Sequence, residues 1–267
     1  MSWNQSLPER GVELKSLEAF NMIKVENIEV FNFEGALRGM RMPFMSHSKS
    51  DSCECECDEE QCANCIYGQD EEDDCVAPDG FDYKYSIGKA DMELCKKLIK
   101  GGSPHRKFLR QIFISMDITA PIYWFKEFDT YKVGTTANST STMHTLMKRD
   151  LTPKDFSTDH LIAQAKIDFM NIIEALNGLR EVYENYETYK DAAVNHGFDM
   201  PDKKDIWYSI IQMLPSSFNQ TRTVTMTYEN ALNIIQWRSN HKLDEWRIFC
   251  NILINELPYM KEFVSAD

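Results

Sequence analysis

The stretch 111–119 constrains this chain most. It places Ile112, Ile114, Met116 and Ile118 on one face with polar residues between them, the alternation expected of a strand buried on one side. Pro121 then stands at the first position of a predicted helix, where the missing N–H of proline costs nothing. Ile122, Phe125 and Phe128 give that helix an apolar stripe. Residues 23–31 alternate in the same way through Ile23, Val25, Ile28 and Val30, and a helix over 34–41 follows, with Pro43 marking its end. Asp91 is the expected N-cap of a helix that stops at Gly101 and Gly102. Residues 133–142 read as a loop of small hydroxyl residues, and 160–189 as a long helical pattern closed by Gly197 and Pro201. The last helix carries Leu243, Trp246, Phe249, Leu253 and Leu257 at three- and four-residue steps and ends at Pro258. There is no internal repeat. The predicted class is α+β, with a few long strands and a helical majority, as a single domain over 1–267.

The net charge is -13, and its placement matters more than its size. Residues 51–75 carry 11 carboxylates and no Lys or Arg, so the rest of the chain is close to balanced. An acidic chain without a basic face is a poor match for a nucleic-acid polymer. A single nucleotide needs only one or two well-placed cations and stays open. No apolar run approaches the ~20 residues that span a bilayer, and no secretory h-region follows Met1, so the expected setting is cytoplasmic with no membrane partner.

The C-terminal third carries the most specific pattern. Leu214-Pro215 comes first, then Thr227-Tyr-Glu-Asn-Ala-Leu-Asn-Ile-Ile-Gln-Trp-Arg238, then Asp244-Glu-Trp-Arg-Ile248. Upstream lie Ala36-Leu-Arg-Gly-Met-Arg-Met-Pro-Phe44, the helix 90–102, the strand 111–122, and Lys126-Glu127 with the loop behind them. In this order, over about two thirds of the chain, the sequence resembles the flavin-dependent thymidylate synthases. The resemblance implies their fold, with a mixed sheet and long helices, and a homotetramer holding FAD at subunit junctions. It implies an FAD-dependent methyltransferase in which NADPH is the reductant, methylenetetrahydrofolate gives the carbon and deoxyuridylate becomes thymidylate. A related pyrimidine-nucleotide modification, such as hydroxymethylation, is a close variant.

Residue by residue, the resemblance puts Arg238 on the substrate phosphate and Asn233 against the flavin. From the residues alone, Arg238 is equally a solvated helix-end arginine that complements the dipole. The family's Arg-His-Arg signature falls on Thr130-Tyr131-Lys132, so only Lys132 keeps a charge there. Glu127 takes the place of a family glutamine, Lys126 stands beside it as a cation for the cofactor, and Ile211 replaces an arginine. The later Asn-Glu-x-Ser-x-Arg falls on residues 137–142, which puts Thr140 in place of the active-site serine, Asn138 in place of the glutamate and Thr142 in place of the arginine. A shift of one residue puts Ser141 on the serine instead, and both alignments stand. Arg106 and Arg110 are further cations that can make up lost charge. Losing several charge-assisted phosphate contacts, each worth roughly 1.5–3 kcal/mol, weakens any hold on dianionic ligands. A non-catalytic scaffold is therefore the rival class.

The cysteines are the other cluster. Cys53, Cys55, Cys57, Cys62, Cys65 and Cys75 lie within a stretch that is a short connection in the family, so residues 46–85 read as an acidic Cys-rich insertion. Six thiols in a chain with no secretory signal point to metal rather than disulfides, and four can surround a Zn²⁺. Cys62 and Cys65 have the usual two-residue spacing, but Cys-x-Cys-x-Cys is no standard knuckle. The alternative is an acidic loop that binds no metal, or one that binds a protein partner. Cys95 and Cys250 fall on apolar helix faces and are expected in the core. The histidines, among them His105, His144, His160, His196 and His241, show no metal or catalytic spacing.

Overall fold

The computed structural model describes residues 23–54 and 85–266. In chain order these form β1 (Lys24–Phe31), α1 (Phe33–Arg41), β2 (Cys53–Glu54), β3 (Tyr85–Ser86), α2 (Lys89–Lys100), β4 (Phe113–Pro121), α3 (Ile122–Phe128), β5 (Thr136–Ser139), α4 (Thr142–Thr145), α5 (Ala163–Glu184), α6 (Tyr186–Asn195), α7 (Lys203–Met213), β6 (Asn219–Thr227), α8 (Tyr228–Arg238), α9 (Asp244–Glu256) and α10 (Met260–Val264). The main sheet has the order β1-β4-β6-β5. Every pairing in it is antiparallel, which corrects the expected mixed sheet.

The β4–β6 pair sets the architecture. Its register runs from Phe113 opposite Thr227 to Pro121 opposite Asn219. On one face Ile114, Met116, Ile118, Ala120, Val224 and Met226 are fully buried, and helices cover them. On the other face hydroxyls meet across the strands: Thr119 and Thr221 lie 2.7 Å apart, and Thr223 donates to Asp117 at 2.5 Å. That bond, then one from Asn27, holds the Asp117 carboxyl below its usual range. Pro121 ends β4 and caps α3 rather than opening it. The expected loop 133–142 contains a strand, β5, paired to β6 through Thr136–Thr225 and Asn138–Thr223. All four of its residues are exposed, so no apolar phase marked it.

Behind the sheet an aromatic cluster fixes α3 against α9. Trp124 stacks near Phe128 at 5.1 Å between ring centres and meets Trp246 at 4.6 Å and Phe249 at 5.3 Å. Tyr123 donates to the buried carboxylate of Glu245, and burial together with that bond raises the Tyr123 hydroxyl's pKa. A second, smaller core lies in α4–α7 around Leu146, Phe156, Ile173, Leu176 and Ile210. The helical pattern 160–189 is thus two helices, broken at Asn185. Among the described residues no helix is long and apolar enough to cross a membrane.

The described residues on either side of 55–84 are tied together by buried charge. Arg41 donates from Nε to Asp91 Oδ1 at 2.5 Å, and Ser50 and Ser52 both donate to Asp91 Oδ2 at 2.6 Å. Asp91 is therefore not the N-cap of α2. That work falls to Asp51, which accepts from the backbone N–H of Ala90 at 2.7 Å and of Asp91 at 3.1 Å. Gly88 permits this approach, since a Cβ there would lie 2.3 Å from the Asp51 carboxyl carbon. β2 and β3 then pair Cys53 with Ser86 and Glu54 with Tyr85. Removing one partner of a buried ion pair strands the other without compensation. Asp91→Ala is expected to destabilise the fold by about 3–5 kcal/mol, read as a lowered urea midpoint with an unchanged slope.

Candidate functional site

α3 and α8 leave opposite ends of the β4–β6 pair and run back over the same face, which brings the end of α8 to the last turn of α3. Thr227 starts α8 by accepting from the backbone N–H of Asn230, and Arg238 is the helix's last residue. Its guanidinium lies over the Trp246 ring, 4.8 Å from the centroid. Nε donates to Tyr131 Oη at 2.9 Å, and Nη1 donates to Glu127 Oε2 at 3.0 Å. The Arg238 side chain is 22% exposed, so it is a held group and not a solvated helix-end arginine. Its acidic partner comes from another helix, so no search one turn away along α8 could find it.

Glu127 Oε2 is the hub. Besides Arg238 it accepts from Trp246 Nε1 at 3.1 Å and faces His241 Nε2 at 3.5 Å. His241 Nδ1 accepts the backbone N–H of Leu243 at 3.2 Å. A ring nitrogen in that role carries no proton, so the neutral ring's proton sits on Nε2, toward Glu127.

Asn233 lies in a separate cluster. Its Oδ1 accepts from Arg106 Nη2 at 2.8 Å, while Glu229 binds Arg106 at 3.3 Å and Arg110 at 2.7 Å. The two arginines expected to make up lost charge are thus already engaged by Glu229. The Asn233 amide nitrogen makes no hydrogen bond among the described residues. Lys126 and Lys132 are exposed and form no ion pair among them.

The hydroxyl candidates sit on the sheet edge. Thr140 donates its backbone N–H to Thr221 O at 2.9 Å, and its Oγ1 accepts from the backbone N–H of Thr221 at 3.4 Å. Ser141 caps α4, and Asn138 is exposed opposite Thr223. Neither the Thr140 nor the Ser141 hydroxyl bonds to a basic or acidic side chain among the described residues. They can orient a ligand, but nothing here activates them as nucleophiles.

Sequence reasoning missed Arg222. It lies opposite Ser139, pairs with Asp129 at 2.7 Å and stands 3.9 Å from the Phe125 ring centre. Its signal was a cation in phase with Val224 and Met226, on the apolar side of a strand. The loop 129–135 is gripped by Arg222 through Asp129, by Arg238 through Tyr131, and by Asn230, which donates to Val133 O at 2.7 Å and Thr135 Oγ1 at 2.8 Å.

Among the described residues no group of three or more His, Cys, Asp or Glu side chains is arranged to hold a metal. Cys53 is exposed on β2, and Cys55, Cys57, Cys62, Cys65 and Cys75 lie outside the described residues. Cys95 and Cys250 are buried, as expected.

The fold has a counterpart among solved structures. A thymidylate synthase X from Helicobacter pylori with FAD and dUMP superposes with a TM-score of 0.55 at 15% identity, over 91% of this chain and 98% of that one. A second structure, of the flavin-dependent thymidylate synthase of the same organism complexed with FAD and dUMP, gives 0.55 at 14% identity, over 90% and 99%. The chain has their fold. No family model matches the sequence, and no curated protein does either. The likeness therefore lies in the path of the backbone.

The thiols give a direct test of the site's chemistry. Burial pushes Cys250 up to about 11, against smaller lowering effects from Ser239 and Arg238, and burial likewise raises Cys95. A raised thiol pKa leaves little thiolate at neutral pH, so neither is a nucleophile. Iodoacetamide on the native protein at pH 8 is expected to label Cys53 and spare Cys95 and Cys250 in peptide mass mapping. Rapid labelling of Cys250 would contradict the assignment.

Proposed function

We propose that this chain is a divergent flavin-dependent thymidylate synthase-like protein that binds FAD and a pyrimidine nucleotide. The observation that carries the reading is Arg238, stacked on Trp246 at the end of α8, in a fold shared with enzymes solved with FAD and dUMP. A planar guanidinium offers paired donors to phosphate oxygens, and its rigid seat lowers the entropy lost on binding. Arg238 takes the substrate phosphate, with Lys132 as a second cation and Thr140 or Ser141, with Asn138, along the sheet edge.

The donor set also suits an anionic cofactor. Lys126 is exposed and without an ion pair among the described residues, and the Asn233 amide nitrogen has a donor to give. These groups would hold FAD, which supplies two-electron transfer when bound. The overall reaction moves the methylene carbon of methylenetetrahydrofolate to deoxyuridylate as a methyl group, with two electrons from NADPH, and releases tetrahydrofolate. The same reading makes the working unit a homotetramer, in keeping with Ile162 and Ile167 exposed along α5 and at its start.

Freshly purified protein is expected to be yellow, or to bind added FAD with quenching of flavin fluorescence, and the complex to form thymidylate from deoxyuridylate. A colourless protein with no FAD binding by calorimetry would leave a non-catalytic scaffold as the reading. Flavin binding with turnover of another pyrimidine nucleotide would keep the scaffold and change the substrate.

A further inference from the structure

We propose that Glu127 is a resident anion that competes with a ligand's phosphate for Arg238, and so sets how tightly this site holds a nucleotide. The inference rests on the nucleotide reading for the identity of the ligand. The competition itself follows from side chains of this chain alone.

Arg238 has five N–H donors in a fixed fork. One face of the fork is covered by Trp246, Nε–H goes to Tyr131, and Nη1 goes to Glu127. The carboxylate thus takes a position from which an external oxyanion would draw a charge-assisted bond. It is well seated there, because the same Oε2 accepts from Trp246 Nε1 and faces the Nε2–H of His241. A phosphate that takes this position on Nη1 must turn Glu127 out, and the indole and imidazole N–H groups then need a new acceptor. A phosphate that binds without displacing Glu127 places two negative charges beside a third. Either route weakens phosphate binding, and neither touches a ligand that lacks one.

Glu127 is more than a third exposed, so water screens part of this repulsion. Glu127→Gln is the informative variant. It keeps the size of the side chain and an acceptor oxygen for Trp246 and Arg238, removes the charge, and puts an amide NH2 in place of the second oxygen. Calorimetric titrations of wild type, Glu127→Gln and the double variant Glu127→Gln/Arg238→Ala, each with deoxyuridylate, deoxyuridine and inorganic phosphate, test the proposal. Glu127→Gln is expected to bind deoxyuridylate at least about tenfold more tightly than wild type, with little change for deoxyuridine. The gain should vanish in the double variant. Glu127→Ala gives the same comparison if the glutamine variant folds poorly.

A gain with inorganic phosphate that Arg238→Ala abolishes, without any binding of deoxyuridylate, would uphold the competition and sink the nucleotide reading. Equal affinity of wild type and Glu127→Gln for both phosphate ligands overturns the proposal. So does a gain of the same size for deoxyuridine, since that reports a general change of the site and not competition for a phosphate.

Discussion

The antiparallel pairing of β4 with β6 is the constraint on which the rest of the molecule depends. Its long register, Phe113–Thr227 to Pro121–Asn219, puts one apolar row under the helices and one hydroxyl row on the other face. Because the strands run in opposite directions, the helices that follow them start from opposite ends. An eleven-residue helix is about 16 Å long and a nine-residue strand about 30 Å. α8 therefore covers about half the sheet's length on its way back, and α9 and the loop after α3 close the remaining distance. The meeting of Arg238, Glu127, Tyr131 and Trp246 is the product of that geometry.

A common feature runs through the arginines of this region. Arg238 faces Glu127, Arg222 faces Asp129, and Arg106 with Arg110 share Glu229. Each of these four arginines already faces a carboxylate, whereas Lys126 and Lys132 form no ion pair among the described residues. For an anionic ligand this raises the work of entry. It also lets a chain with fewer cations keep those it has in fixed positions.

What the sequence disclosed follows from the reach of each signal. β4 and α9 were legible because each has one buried face, and burial imposes a period on the residues. β5 was not, since an exposed edge strand of Thr, Ala, Asn and Ser has no apolar phase to show. Asp91 looked like a helix cap by local rules, yet the cap is Asp51, brought from 40 positions upstream by the fold. The acid that holds Arg238 is 111 positions away, on α3. Site residues could be named by resemblance, but their mutual pairing is a tertiary fact. The antiparallel sense of the whole sheet likewise depends on which strands become neighbours.

The clasp that joins residues 41–54 to residues 85–91 bears on how such a chain can change over time. Arg41, Ser50, Asp51, Ser52 and Asp91 hold the two ends together, and Glu54 stands opposite Tyr85. For any flexible connection whose ends are fixed a strand spacing apart, the closure entropy grows only with the logarithm of its length, about 0.6 kcal/mol for each doubling. A body that fixes both ends in this way is nearly indifferent to the length of a flexible connection between them. What such a body must conserve is the clasp and not the length of chain that the clasp closes.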